Sequence, residues 1–134
     1  MTVGGLRTKG ITKSSRPGEP LISVVTVVYD GAATLGQTIR SVLGQTYGNV
    51  EYVIIDGGSI DGTLDVIRSY EDRIDYWQSE PDGGIYDAMN KGIALATGEY
   101  VYVLGCDDFL VDEGIFERLK EHFLEDYDVI SGTV

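Results

Sequence analysis

ATGEYVYVLGCDDFLVD, residues 96–112, holds the reading of the whole chain. Gly98 stops a helix, and the run from Tyr100 to Leu104 is apolar and β-favouring throughout. A run of that kind suits a strand buried on both faces. Two adjacent carboxylates, Asp107 and Asp108, follow directly after Gly105. In open α/β sheets, ligands bind in the crevice just beyond the carboxyl ends of the strands. Acids in that place fit a hard-cation site for a phosphorylated ligand. The alternative is a solvated acidic turn that caps the next helix.

On either side of this stretch, strand and helix patterns alternate. Leu21–Tyr29 reads as a buried strand, and Leu35, Ile39, Val42 and Leu43 recur at helical spacing between Thr34 and Gln45. Val50–Asp56 is a second strand ending in an acid, after which Asp61 caps a helix carrying Leu64, Ile67 and Tyr70. Ile74–Glu80 is a shorter strand, broken by Pro81 and the Asp82-Gly83-Gly84 turn. Ile85, Met89, Ile93 and Ala96 share one face of the next helix. Beyond residue 112, Ile115, Phe116, Leu119 and Phe123 mark a fourth helix, and Tyr127–Ser131 a fifth strand. Such alternation predicts an α/β fold, with a mostly parallel, Rossmann-like sheet and helices on both faces. Counted along the chain, the first four of these strands should lie in the order 3-2-1-4.

Composition narrows the function classes. At 134 residues the chain is one domain on size alone. Residues 1–20, rich in Gly, Ser and basic residues, read as a flexible basic tail, leaving 21–134 as the folded domain. The net charge of −12 splits unevenly: outside the tail, 6 basic residues face 21 acidic ones. So acidic a body excludes a nucleic-acid surface, which needs clustered Lys and Arg. It leaves room for a nucleotide whose diphosphate is held through a divalent cation. One cysteine, Cys106, permits no internal disulfide, and no apolar run approaches the length of a membrane span. The expectation is a cytoplasmic protein, with the basic tail allowing at most a peripheral contact at the inner membrane face.

If the fourth strand returns beside the first, Tyr29-Asp30, Asp56 and Asp107-Asp108 converge on one crevice. Tyr29 can stack on a flat base, or pack on the core as a strand-end aromatic. Asp56 can accept from a uracil-type N–H or a ribose hydroxyl, or else turn the chain into the following glycines. Asp107 and Asp108 can give oxygens to Mn²⁺ or Mg²⁺ while phosphate and water complete the shell. Gly83 and Gly84 let backbone N–H groups approach a ligand at a helix start, a place that favours phosphate. Lys91 is the cation of that helix, with Asp87 one turn away as an ion-pair partner. His122 has no metal-ligand partner at helical spacing, and no histidine is near enough in sequence to activate Cys106.

The segments SVVTVVYDG, EYVIIDGGSIDGT and SEPDGGIYDAMNKGIALATGEYVYVLGCDD resemble the nucleotide-sugar-binding half of glycosyltransferase family 2, which has the GT-A fold. The resemblance covers about Ile22 to Asp112. It implies that Thr26 and Tyr29 contact the base, and that Asp56 reads the base edge. It implies further that Asp82, Asn90 and Lys91 lie on the phosphate side, and that Asp107 and Asp108 bind ribose and a divalent metal. Two departures stand out: Asp30 replaces a frequent Asn, and Gly105 replaces the first acid of the metal motif. Members place the catalytic base and the acceptor elements further along, so both are expected beyond residue 134.

The function expected is therefore metal-assisted transfer of a hexose-type sugar from a nucleoside diphosphate, UDP foremost, with inversion. The acceptor would be a glycan, a lipid-linked sugar or a protein. A non-catalytic, self-associating nucleotide-binding fragment of the same fold is the alternative, and turnover separates the two. A phospho-accepting receiver domain also clusters strand-end acids, but no Lys follows Lys120 here. Because the sequence ends at a strand without a closing element, a domain incomplete at its C-terminus is expected. Its open edge would drive homo-oligomerisation near Asp128–Val134.

Overall fold

A computed structural model describes residues 1–122 and 129–132 of the chain. Its elements run β1 (Thr2–Gly4), β2 (Ile22–Val28), α1 (Ala32–Leu43), β3 (Val50–Asp56), α2 (Thr63–Ser69) and β4 (Tyr76–Ser79). They continue with α3 (Ile85–Leu95), β5 (Tyr100–Gly105), α4 (Ile115–His122) and β6 (Val129–Gly132). One sheet holds all six strands in the order β1-β4-β3-β2-β5-β6. Neighbours are parallel except β1, which runs antiparallel to β4. The expected 3-2-1-4 order is the β4-β3-β2-β5 centre of this sheet.

The central strands read as continuous apolar runs because helices cover both faces. Alternation of side chains then sorts each strand between two cores. Ile22, Val24 and Val28 of β2 join Tyr52 and Ile54 of β3 under α1, α2 and α4, which contribute Leu35, Ile39, Ile67 and Phe116. Val25, Val27, Val53 and Ile55 face the other way, against Ala88 of α3, with Met89 and Ile93 at its margin. Full burial of each such side chain contributes about 1.5–3 kcal/mol. Gly92 sets the approach of α3, since a Cβ there would run into Val25. Ile85 departs from the expected apolar face of this helix: it is 60% exposed.

Residues 1–20 are not the flexible tail expected. Thr2–Gly4 adds an edge strand, pairing Thr2 with Ser79 and Gly4 with Trp77. Three residues, Thr2-Val3-Gly4, are too few to give a periodic signal, so only the tertiary partner fixes them. The basic residues turn inward to acids: Arg7 pairs with Glu51 at 2.8 Å and Lys13 with Asp75 at 3.1 Å. Lys9 and Arg16 pair with Asp72 and Glu19 at the surface. Each of the four basic residues of this segment is thus paired with an acid within the fold, while the chain as a whole keeps its net charge of −12. Among the described residues, no helix is long and apolar enough to cross a membrane. Phe123, Tyr127, Asp128, Thr133 and Val134 lie outside the described residues.

Candidate functional site

The carboxyl ends of β2, β3 and β5 open into a cleft of about 760 Å³. It lies at the point where the chain, having wound outward from β2 to β4, returns to place β5 on the other side of β2. Val27, Val28 and Ala88 supply apolar lining, and three acids, Asp30, Asp82 and Asp107, line it too. No Lys, Arg or His is among its described lining residues.

Tyr29 is 65% exposed in this lining, so its ring is not packed on the core. Asp30 follows with a left-handed φ of 49°, a conformation uncommon outside glycine. Its turn is held from β3's side. The Asp30 N–H donates to Ser59 Oγ (2.7 Å), and Asp30 Oδ1 accepts from the Ile60 N–H (2.9 Å). Asp61 adds a second tie, accepting from the N–H of Ala32 and from both the N–H and the hydroxyl of Thr63. These bonds hold its carboxyl below the usual range, the Thr63 hydroxyl foremost. Ser59 and Thr63 gave no separate sequence signal beyond the small polar residues of DGGSIDGT.

Asp56 does not reach the cleft. It is fully buried, with Oδ1 accepting from the Ser59 hydroxyl and Oδ2 from the Ser59 N–H and the Ser79 hydroxyl (2.6 Å). Of its two sequence readings, the turn into the glycines is the one the geometry holds. Thr26 is also fully buried, and its hydroxyl shares a 2.9 Å bond with Tyr52 Oη inside the sheet. It sits two residues short of the β2 rim and is not among the residues lining the cleft.

The Glu80–Lys91 segment differs from expectation as well. The N–H groups of Gly83 and Gly84 are already taken, by Asp87 Oδ2 (2.9 Å) and Asp82 Oδ1 (3.0 Å). Lys91 lies between Glu80 (3.2 Å) and Asp87 (3.3 Å); desolvation pulls its pKa down, but the hydrogen bonds it donates to these acids and their charge outweigh that and raise it. Three carboxylates against one cation make a poor phosphate site. Asn90 is exposed, and neither it nor Lys91 lines the cleft.

Asp107 and Asp108 converge over Gly105. A Cβ built there would sit 3.3 Å from Asp107 Oδ1 and 3.4 Å from Asp108 Oδ2, so the missing side chain leaves a cradle between two carboxylate oxygens. Neither acid caps the next helix: Asp112 takes that work, accepting from the Gly114 N–H and pairing with Arg118. The turn is clamped from α1, where the Thr38 hydroxyl bonds to the carbonyls of Cys106 and Asp108. Ser41 Oγ accepts from the Leu110 N–H (3.0 Å) in the same clamp. Among the described residues, no three acidic, His or Cys side chains gather as metal ligands. Two carboxylates beside an open cleft still fit a Mg²⁺-like ion, which takes one or two from protein and the rest from phosphate and water. Cys106 lines the cleft with its thiol pushed up by burial and by the charge of Asp107, which disfavours the nucleophilic thiolate.

Comparison with known proteins places this geometry. The family model described as glycosyl transferase family 2 matches residues 23–134. A Mycobacterium tuberculosis protein named as an uncharacterized glycosyltransferase is 44% identical over 90 residues, 66% of this chain and 34% of its own. The PGL/p-HBAD biosynthesis glycosyltransferase of Mycobacterium bovis is 35% identical over 122 residues, 86% of this chain and 47% of its own. The chain thus spans less than half the length of these curated relatives. Among solved structures, S. aureus TarS 1-349 in complex with UDP-GlcNAc superposes with TM-score 0.66 at 23% identity, over 78% of this chain and 30% of that one. Mannosyltransferase PcManGT from Pyrobaculum calidifontis, in complex with GDP-Man and Mn²⁺, gives TM-score 0.66 at 24% identity over 71% and 30%. At these identities the two structures speak for the fold, the GT-A arrangement of sheet and helices.

Proposed function

The chain belongs to glycosyl transferase family 2, and from that membership we propose that it is the donor-binding part of a sugar-transferring enzyme. The donor is a nucleoside diphosphate sugar, UDP-linked in the first instance, and the transfer to an acceptor hydroxyl inverts the anomeric centre. One observation carries the proposal: an acidic cleft at the switch point of the sheet, with an exposed aromatic on one strand end and paired carboxylates on another. Its volume falls within the roughly 300–1,000 Å³ of small-molecule sites.

In this reading Tyr29 offers its ring face to the base. Asp107 and Asp108 would hold Mn²⁺ or Mg²⁺, which when bound neutralises the charge of the diphosphate. Asp107 and Asp108 keep their place because Thr38 of α1 holds the backbone carbonyls of Cys106 and Asp108. The acceptor, and the base that takes the proton from its hydroxyl, are assigned to the remainder of the longer enzyme.

Calorimetric titration of UDP, GDP and TDP with and without Mn²⁺ tests donor binding, and donor hydrolysis by the chain tests turnover. Metal-dependent binding of at least one nucleotide is expected. Failure of all three to bind with Mn²⁺ present would sink the proposal.

A further inference from the structure

The two carboxylates over Gly105 are held only through the backbone that carries them. Among the described residues, nothing donates a hydrogen bond to the side chain of Asp107 or Asp108. The turn closes on itself by one backbone bond, from the Asp108 N–H to the Gly105 carbonyl (3.1 Å). Where the carboxylates stand is therefore decided by whatever fixes the chain beneath them.

That support comes from one face of α1 and its continuation. Thr38, Ser41 and Gln45 recur at i, i+3 and i+7, the spacing that stacks side chains along one side of a helix. Thr38 is 1% exposed and directs its hydroxyl to the carbonyls of Cys106 and Asp108, on either side of Asp107. Ser41 Oγ accepts from the Leu110 N–H (3.0 Å) and donates to the Thr38 carbonyl (2.7 Å). Gln45 donates from Nε2 to the Asp112 carbonyl (2.7 Å), and its Oε1 accepts from the Phe116 N–H (3.1 Å). The row thus grips the backbone at every second residue from Cys106 to Asp112, and the side chains of Asp107, Phe109 and Val111 between them are left exposed. None of the three gripping residues lines the cleft. We propose that this polar row positions the metal-binding carboxylates: Thr38, backed by Ser41 and Gln45, sets the spacing of the Asp107 and Asp108 oxygens without touching ion or nucleotide. The assignment rests on the donor-binding reading above.

The Thr38 hydroxyl has one proton, shared between two carbonyls. Valine has the same shape and no proton, so it leaves both carbonyls facing a methyl group. Buried acceptors without a partner turn towards water, and the turn opens with them. Mg²⁺ demands near-ideal octahedral geometry with bonds of about 2.0–2.1 Å, whereas Ca²⁺ accepts longer bonds and irregular shells. Displaced carboxylates therefore weaken Mg²⁺ binding more than Ca²⁺ binding, a difference that a general loss of stability does not produce.

UDP is titrated calorimetrically with Mg²⁺, with Ca²⁺ and with a chelator into the wild-type chain and four variants, each shown to be folded by thermal melts. The variants are Thr38→Val, Thr38→Ser, Ser41→Ala and Thr26→Val. Thr26→Val is the stability control, because it too removes a fully buried, paired hydroxyl, but inside the sheet. Thr38→Val is expected to weaken Mg²⁺-dependent UDP binding by about tenfold, the scale on which groups that orient metal ligands act. With Ca²⁺ its loss should stay below about threefold. Thr38→Ser keeps the hydroxyl and should stay within about threefold of the wild type with either ion, as should Thr26→Val. Ser41→Ala should fall between wild type and Thr38→Val, and it carries the test if Thr38→Val does not fold. A folded Thr38→Val chain that binds UDP with Mg²⁺ as well as Thr26→Val does overturns the assignment, and donor binding stands. So does a loss in Thr38→Ser equal to that in Thr38→Val, or an equal loss with Mg²⁺ and Ca²⁺. A wild type that binds UDP no better with Mg²⁺ than with chelator also overturns it, and failure of UDP, GDP and TDP alike with Mn²⁺ takes down the donor-binding reading as well.

Discussion

Asp108 and Lys91 stand for two ways of holding a diphosphate, through a cation or through a fixed ammonium. Lys91 is already shared between Glu80 and Asp87. Asp108 instead points an oxygen into the cradle over Gly105 together with Asp107. Asp108→Ala is therefore expected to weaken Mn²⁺-dependent UDP binding by on the order of tenfold or more, the scale on which groups around a metal act. Lys91→Ala should change it by less than about threefold, because the charge removed was already compensated. Calorimetry of both variants checks the order, and a larger effect at Lys91 would reverse the assignment. Thr26 gives a second test at this scale. Thr26→Val should lower stability by about 1–3 kcal/mol, because it leaves the buried Tyr52 hydroxyl without its partner. UDP affinity should stay unchanged, since the Thr26 side chain lies inside the sheet.

At the scale of elements, Glu51 of β3 ties four segments together. It is only 3% exposed and accepts from Arg7 of the N-terminal segment, Ser23 of β2, and the N–H and hydroxyl of Thr97 before β5. Burial pushes its pKa up, but the Thr97, Ser23 and Arg7 hydrogen bonds outweigh that and hold the carboxyl below its ordinary value of 4.5. A depressed pKa means that the stabilisation is fully present above the ordinary value and is lost as pH falls below it. Melting temperature is thus expected to fall as pH drops below about 4.5. Glu51→Gln should melt lower at neutral pH and show a shallower acid slope. A variant with the wild-type slope would remove Glu51 from this account. The apolar strand runs were legible because each obeys one rule, burial on both faces. The N-terminal strand was not, because its three residues gain their order from β4 and from the Arg7–Glu51 pair.

For the molecule as a whole, the excess of acid over base concentrates its consequences at one cleft. Three carboxylates line it without a cation, so nucleotide alone and metal alone should each bind poorly, and together well. UDP with Mn²⁺ at about 100 times the dissociation constant would add about 2.7 kcal/mol. That raises the melting temperature of a domain this size by on the order of 5–10 °C. UDP with a chelator should shift it little, and equal shifts with and without metal would argue against the cation. We also expect self-association. Ile60, Tyr86 and Val111 stand 91%, 78% and 70% exposed in loops or at a helix start beyond the carboxyl ends of the strands. Tyr29 and Ile85 are exposed on the same side, and large apolar side chains left open in this way are what a partner would cover. Light scattering that shows a monomer would count against this expectation.

Sequence by itself determined the alternation of strand and helix, the 3-2-1-4 order at the centre of the sheet, and the rim on which strand-end acids would fall. Those features follow from local periodicity and from the right-handed winding of parallel strands, rules that act on each segment separately. Tertiary structure decided which acids are free. Asp56, Asp82 and Asp107 look alike in a sequence, each an acid next to a glycine or a turn. Ser59 and Ser79 draw Asp56 into the sheet, while Gly57 leaves room for Asp82 to lie over it. Gly105 opens the space between Asp107 and Asp108, and Thr38 of a distant helix fixes the turn that carries them. A carboxylate's availability thus depends in part on distant partners, Ser79 at 23 residues from Asp56 and Thr38 at 68 residues from Cys106, which no local pattern encodes.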